Sequence, residues 1–305
     1  MSSELAVLDP KARLPARLRA STQPGELLAV VGVAAVMGAG VTKLGAVLGL
    51  SGVTTAAMVV LLGPSIALSA MARAVRAAAK IQVEVGAACA QRRFDRASAL
   101  LRGAPRATAW FAQSRLQMLI ATAIYESHLG RWSSALRLYD EMSRSRFFRA
   151  WRKSFSPAWV GWTRAHAMAA VFAGDVDRAE ALMVELDAVP GAGEHRNNPG
   201  LEIFIAVRRG EIDRALALFE RDRRRIELTV SRVGFLEIAF VLAYALDASG
   251  RAYRSDAPLD RAAVVDAARR GDLDYLTMEW PELAEYLGFL QASLRSAHEL
   301  PPRES

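Results

Sequence analysis

The sequence predicts an all-α protein, with an N-terminal transmembrane helical hairpin followed by an α-solenoid of stacked helix pairs. Three observations support this prediction. Residues that favour helices dominate the chain of 305 residues, of which 52% are hydrophobic and 23% charged. One apolar stretch, residues 27–72, carries a single charge, at Lys43. A short pattern of glycine, a large residue and alanine recurs through the remainder.

The charge balance and the cysteine count narrow the class of protein. The net charge of +7 favours anionic partners, such as phospholipid headgroups or nucleic acid, without deciding between them. Arginine greatly outnumbers lysine and alanine is abundant, which we interpret as the mark of a GC-rich bacterial genome. A single cysteine, Cys89, excludes an internal disulfide framework.

Residues 27–72 predict the membrane anchor. A membrane-spanning helix needs about 20 apolar residues, so this stretch accommodates two helices and a turn. We place the spans at residues 27–48 and 53–71, and we treat residues 1–26 as a basic cytoplasmic leader. The alternative is a buried helical hairpin of a soluble protein, although soluble core helices rarely run this long without charge.

Basic residues flank both predicted spans and set an orientation. Cations concentrate on the cytoplasmic side of membrane helices, so both ends of the chain should lie in the cytoplasm. We therefore expect an integral protein of the bacterial inner (cytoplasmic) membrane with two spans. The flanking residues are Lys11, Arg13, Arg17 and Arg19 before the first span, and Arg73, Arg76 and Lys80 after the second.

A six-residue pattern recurs through residues 73–252. Its copies begin at Arg92, Gly130, Gly174 and Gly210, and each has alanine at its sixth position. Glycine permits the tight turn that ends one helix, a large residue fills the gap between antiparallel helices, and alanine lets their backbones approach. The pattern predicts helical hairpins that bury their apolar faces by stacking. The positions that carry it best are Gly130, Trp132, Ala135, Gly174, Ala179, Gly210 and Ala215.

This pattern resembles the tetratricopeptide repeat family, which has glycine, an aromatic residue, alanine and a further aromatic residue across the turn and second helix of each unit. Gly130, Trp132, Ala135 and Tyr139 match it best, and the resemblance covers roughly residues 78–250. The copies lie 38, 44 and 36 residues apart, against about 34 in the family, and the first-helix signature is poor. A non-repeating helical array is the alternative.

The resemblance implies a protein that binds peptides or other proteins in a concave groove and is not an enzyme. The family's ligand-binding positions lie on first helices, where this chain departs most, so no ligand residue is carried over. We expect a membrane-anchored adaptor or scaffold whose protein or peptide partner the sequence does not name.

The end of the chain should be helical as well. One long helix is expected over residues 230–249, and a C-terminal helical cap over residues 253–298. Within the cap, residues 281–298 should form the final helix, because proline suits the first turn of a helix. Residues 299–305 are expected to fray.

The sequence contains no catalytic set. Its histidines do not pair at metal-ligand spacing, and it has neither a nucleotide-binding loop nor a nucleophile elbow. We therefore predict no enzymatic activity, no cofactor and no metal site. The four histidines are His128, His166, His195 and His298.

The best candidate for an interaction patch lies in residues 142–174, which contain no acidic residue. Arginines interleaved with aromatic residues over 144–164 suit contact with anionic lipid, or with nucleic acid. Nucleic acid is disfavoured, because no nucleic-acid-binding motif accompanies them. Alternatively, the aromatic residues only seal the seam between two helix pairs. The patch comprises Arg144, Arg146, Phe148, Arg149, Trp151, Arg152 and Lys153.

Overall fold

The computed structural model describes residues 43, 52–109, 111–145, 148, 156–187, 199–250 and 261–298. In these ranges the chain forms α-helices, one short 3₁₀ turn and no strand, which confirms the all-α prediction. The helices are α1 (Gly52–Ala90), α2 (Phe94–Arg102), α3 (Ala112–His128), α4 (Trp132–Arg144), α5 (Ser156–Phe172), α6 (Val176–Asp187), α7 (Pro199–Arg208), α8 (Ile212–Thr229), α9 (Arg232–Ala248), α10 (Arg261–Arg269), α11 (Asp274–Thr277) and α12 (Pro281–His298).

Only part of the predicted membrane hairpin lies in the described ranges. The first span, residues 27–48, lies outside them except for Lys43. The second, residues 53–71, is helical, but α1 does not end with it and continues to Ala90, because strong helix formers follow. Within the described ranges, no helix has both the length and the apolar character that crossing a membrane requires.

The chain divides into two compact units. Unit 1 comprises Met1–Tyr125 and Leu138–Arg149, and unit 2 comprises Glu126–Arg137 and Ala150–Ser305. The chain therefore passes from unit 1 to unit 2 within α3 and returns to unit 1 within α4.

In unit 1, α1 packs against α2 and against the 3₁₀ turn Arg106–Ala109. The core includes Val85 and Cys89 of α1 and Ala97 of α2, each at most 1% exposed. Burial raises the pKa of the Cys89 thiol to about 11, so the thiol is protonated at neutral pH. Cys89 therefore acts as a small packing residue and not as a nucleophile.

In unit 2, α5 packs on α6, α7 packs on α8, and α9 packs on α7. Residues 203–207 of α7 and 238–243 of α9 are all buried. A helix that is apolar on every face needs protein on every side, so α7 and α9 form the centre of this unit. The helices predicted over residues 230–249 and 281–298 are confirmed as α9 and α12, within two residues at each end.

Several of the turns between the helices share one geometry. Gly130, Gly174 and Gly210 have φ angles of 72°, 89° and 75°, in the left-handed region that glycine adopts most easily. In each turn the following amide donates to the carbonyl oxygen five residues earlier, at 2.8 or 2.9 Å. Arg92 and Gly271 adopt the same conformation with the same hydrogen bond, although Arg92 is not a glycine.

The alanine of each copy is completely covered. Ala97, Ala135, Ala179 and Ala215 are all 0% exposed. In each copy the amide of this alanine donates to the carbonyl oxygen of the residue that follows the turn position. A larger side chain at any of these positions would force neighbouring atoms apart, which explains why the smallest chiral residue recurs there.

Candidate functional site

Most of the predicted basic–aromatic patch lies outside the described residues. Arg144 is exposed at the end of α4, whereas Phe148 is only 1% exposed. Later in the same segment, Trp159 and Trp162 are buried and stack on each other at 4.9 Å. Protein covers these three aromatic side chains, so they are not available to enter a lipid headgroup layer. The patch members outside the described residues are Arg146, Arg149, Trp151, Arg152 and Lys153.

The histidines of α3 and α5 contact aromatic rings. His166 is fully buried, and its ring lies edge-on to Trp162 at 4.9 Å. His128 ends α3, with its ring 6.1 Å from that of Tyr275. Among the residues that the structure describes, no group of three or more His, Cys, Asp or Glu could hold a metal ion.

Unit 2 contains a surface built from the ends of several helices. Phe172 and Arg208 are the last residues of α5 and α7, Trp132 is the first residue of α4, and Tyr244 lies near the end of α9. Trp132 and Phe172 stack at 4.8 Å, and Phe204 supports Phe172 edge-on at 5.4 Å. We call Trp132, Phe172, Arg208 and Tyr244 the aromatic surface.

Residues 271–292, here named the C-terminal segment, lie against the aromatic surface. Trp280 is 2% exposed and meets Phe172 at 5.8 Å and Tyr244 at 6.2 Å, edge-on in both cases. Leu273, Leu276 and Leu283 of the segment are buried as well. Trp280 occupies the connection between α11 and α12, directly before Pro281. A tryptophan buries about 150–250 Å² and so dominates the energetics of a small contact.

Arg208 contacts two different groups of the C-terminal segment. Its guanidinium carbon lies 4.3 Å from the centre of the Trp280 ring, which is a cation–π contact. The same guanidinium lies 3.5 Å from the carboxylate of Glu282. The Arg208 side chain is 17% exposed, and burial lowers its pKa, whereas Glu282 and Tyr244 act in the opposite direction. Arg208 thus binds an aromatic face together with a carboxylate two residues further along.

The C-terminal segment also bonds to the turn before α4. Trp132 donates its indole N–H to the carbonyl oxygen of Tyr275 at 2.8 Å. The carboxylate of Glu279 accepts from the backbone N–H and the hydroxyl of Ser133, at 2.8 and 2.6 Å. An acid there complements the positive end of α4. The backbones approach so closely that a β-carbon on Gly130 would lie 2.6 Å from the Tyr275 carbonyl oxygen.

Two tyrosine hydroxyls bond the C-terminal segment to α9. Tyr275 donates to the carboxylate of Glu237, which is half-buried. Burial raises the pKa of Glu237, and the hydrogen bond from Tyr275 opposes that rise. Tyr286 donates to Asp247 at 2.9 Å, and Asp247 also pairs with Arg261 at 3.1 Å. Polar bonds therefore hold the segment on both sides of Trp280.

Of the predicted site residues, only Trp132 belongs to the aromatic surface. The amino-acid composition of the C-terminal segment is the sequence feature that distinguishes it. Residues 271–294 contain five acidic residues and no basic residue, within a chain of net charge +7. Such a charge contrast indicates a segment that pairs with basic residues elsewhere in the chain, but the periodicity of the helices does not reveal which ones.

Comparison of the chain with protein-family models, with curated proteins and with solved structures gives no match in any of the three. The geometry of unit 2 and the sequence itself are therefore the basis for a functional proposal.

Proposed function

We propose that the chain is a non-enzymatic, membrane-anchored adaptor that captures a protein partner on the aromatic surface of unit 2. The contact between the aromatic surface and the C-terminal segment carries the proposal. It includes a deeply buried aromatic anchor, a largely buried arginine and a few hydrogen bonds to side chains and main chain. Sites that bind polypeptide segments combine a buried anchor with a small number of placed polar groups in this way.

Stacked helical hairpins suit this role. The turns at Gly130, Gly174 and Gly210 repeat one geometry. The helices before the last two turns, α5 and α7, end in Phe172 and Arg208 of the aromatic surface. A row of such ends offers a surface that a single hairpin could not build. We propose on this ground, and on the sequence resemblance, that the hairpins are degenerate relatives of the tetratricopeptide repeat.

Binding is proposed instead of catalysis because the polar groups of the surface contact another stretch of polypeptide. Arg208 contacts a ring and a carboxylate, and Trp132 contacts a main-chain carbonyl. These are groups that any protein segment offers, and their recognition requires neither a cofactor nor a metal ion.

Membrane attachment is the second part of the proposal, and the sequence of residues 27–72 is its main support. In the described part of α1, the apolar side chains Leu68 and Met71 are 60% and 37% exposed. Lipid would cover such side chains, and the exposed Arg73 and Arg76 that follow would lie on the cytoplasmic side. We propose that both ends of the chain lie in the cytoplasm of a bacterial cell.

Affinity purification of the full-length chain from its native membrane tests the adaptor function. Wild type is compared with Arg208→Glu and with Arg224→Glu, an equal charge change at an exposed position of α8. We expect one partner, at a constant ratio to the bait, with wild type and Arg224→Glu. Recovery with Arg208→Glu should fall at least about tenfold, because reversing a central contact of an interface removes much of its affinity. Equal recovery by all three chains, or none above background, contradicts the proposal.

Alkaline carbonate extraction and protease treatment of spheroplasts test the anchor. The chain should stay in the membrane pellet, and a tag at its C-terminus should be protected until the membrane is broken. If carbonate releases the chain, the proposed membrane anchor is wrong. The binding function is then still tested by the affinity purification.

A further inference from the structure

We infer that the C-terminal segment is an internal ligand of the aromatic surface, and that an acidic segment of the partner protein binds by displacing it. The partner segment should carry an aromatic residue followed two positions later by a carboxylate, as Trp280 and Glu282 do. The inference rests on the proposed function, because it names the chemistry of the partner and the element that competes with it.

Charge complementarity is the first step of the argument. Residues 271–294 have five acidic and no basic residues in a chain that is otherwise strongly basic. Two of these acids contact the helices beneath: Glu282 pairs with Arg208, and Glu279 receives both hydrogen bonds of Ser133. This complementarity is local to Arg208 and to the start of α4, because the acids Glu237 and Asp247 of α9 also face the segment and accept hydrogen bonds from its tyrosines.

Arg208 supplies the specificity. The ring of Trp280 and the carboxylate of Glu282 lie on either side of one proline, and both reach the same guanidinium, at 4.3 and 3.5 Å. An aromatic residue alone, or an acid alone, would satisfy only one of the two contacts. Because Glu282 also lies in the first turn of α12, the positive end of that helix favours the acid at this position. The partner segment is therefore expected to begin a helix directly after its aromatic residue.

The contacts on the acidic side of the segment are open to water, which makes displacement feasible. Glu282 is 62% exposed and Met278 is 66% exposed, and the bonds between Ser133 and Glu279 are exposed as well. Water can replace such bonds one at a time, so the buried side chains, Trp280 together with Leu276 and Leu283, are the contacts for which a partner must compete. The internal segment leaves the surface free in only a fraction of the molecules. The apparent affinity for a partner is the intrinsic affinity multiplied by that fraction.

A peptide exchange experiment tests the inference. The probe is a fluorescent synthetic peptide with the sequence of residues 271–292, added to the full-length chain in detergent micelles and followed by anisotropy. The chain is either wild type or the double variant Trp280→Ala/Glu282→Lys, in which the internal segment is weakened. We expect the peptide to bind the double variant at least about tenfold more tightly than wild type, because the surface is then free in most molecules.

Peptides with single charge changes separate recognition from general attraction. Glu282→Lys in the peptide should weaken its binding to the double variant at least about tenfold, whereas Glu285→Lys should leave it unchanged. Glu285 is exposed on the same helix, so it is the matched control. A chain carrying Arg208→Glu should prefer the Glu282→Lys peptide over the wild-type peptide. Equal losses for the two altered peptides overturn the inference.

Further outcomes also decide the matter. Circular dichroism establishes whether the double variant is folded; if it is not, the preference of the Arg208→Glu chain for the Glu282→Lys peptide remains as the test. Equally weak binding to wild type and to the folded double variant overturns the inference. Dimer formation by wild type, in which a second copy provides the segment, also overturns the inference. If the peptide exchanges but no partner is recovered, the adaptor function is wrong and the inference of an internal ligand stands. If a partner is recovered equally by wild type and by Trp280→Ala/Glu282→Lys, the inference is wrong and the adaptor function stands.

Discussion

Trp132 and Tyr275 are joined by a hydrogen bond of 2.8 Å from the indole N–H to the main-chain carbonyl oxygen, across 143 positions of the chain. The bond connects the first residue of α4 to the short helix α11. Trp132 is 4% exposed, so water has little access to its N–H if the bond is lost. A buried donor or acceptor without a partner destabilises a fold by more than the bond itself contributes.

Replacement of Trp132 tests this relationship in two steps. Trp132→Phe keeps a ring on Phe172 but removes the donor, and should lower the free energy of unfolding by about 1–2 kcal/mol. Trp132→Ala removes the ring as well and should lower it by about 3–5 kcal/mol. Urea unfolding followed by circular dichroism measures both. If Trp132→Phe unfolds at the wild-type urea concentration, the bond does not position α11.

Gly130 and Gly210 form a matched pair for the approach of the C-terminal segment. Their φ angles of 72° and 75° are nearly equal, so a β-carbon adds about 1–2 kcal/mol of backbone strain at either. At Gly130 it would also lie 2.5 Å from the Met278 side chain, whereas at Gly210 it would meet nothing within 4 Å. We expect Gly130→Ala to lower the free energy of unfolding by at least about 3 kcal/mol and Gly210→Ala by about 1 kcal/mol. Equal losses in urea unfolding would show that the segment does not pack on the turn.

The turns could be predicted from the sequence because their causes are local. A left-handed residue favours glycine, a close contact favours alanine, and both lie within six positions. The site could not be predicted in this way. Trp280 contacts Phe172 and Tyr244, which belong to different hairpins, and the contact depends on how those hairpins stack. The extension of α1 to Ala90 was also missed, because hydropathy marks the end of an apolar stretch and not the end of a helix.

Arg92 provides a prediction of opposite sign. It has a φ angle of 58°, where glycine stands in the other copies of the pattern. Arg92→Gly relieves left-handed strain of about 1–2 kcal/mol, partly offset by the greater freedom of glycine in the unfolded chain, and should stabilise by about 0.5–1 kcal/mol. Arg93, with φ of −87°, is the control, and Arg93→Gly should destabilise the fold by about 0.5–1 kcal/mol. The thermal unfolding temperatures of the two variants should shift in opposite directions. A lower unfolding temperature for both variants would contradict the assignment of strain to Arg92.

Glu237 should make the stability of unit 2 depend on pH. Burial raises its pKa in the folded chain above the usual 4.5, so the folded chain holds the proton more tightly than the unfolded chain. The contribution to stability is therefore complete below about pH 4.5 and is lost as the pH rises through the folded-state pKa. Glu237→Gln cannot ionise and keeps an acceptor for the Tyr275 hydroxyl. Its melting temperature should exceed that of wild type increasingly as the pH rises, whereas the exposed control Glu220→Gln should follow wild type.

Arg208 and Arg209 are neighbours in the chain. Comparing how much each contributes to the free energy of unfolding tests whether burial or the number of ion pairs decides that contribution. Arg209 makes three hydrogen bonds of 2.6 to 2.8 Å to Asp177 and Glu180. Its side chain is twice as exposed as that of Arg208, and Asp177 is almost fully exposed.

Counting bonds would rank Arg209 first, but water and salt screen exposed pairs, whereas the ring of Trp280 covers Arg208. We expect Arg208→Ala to lower the free energy of unfolding by about 2 kcal/mol and Arg209→Ala to lower it by clearly less. High salt should reduce the loss for Arg209→Ala and leave that for Arg208→Ala nearly unchanged, because a cation–π contact in a covered site is little screened. The reverse ranking in urea unfolding would mean that Trp280 does not shield Arg208 from solvent, and the specificity assigned to Arg208 would fail with it.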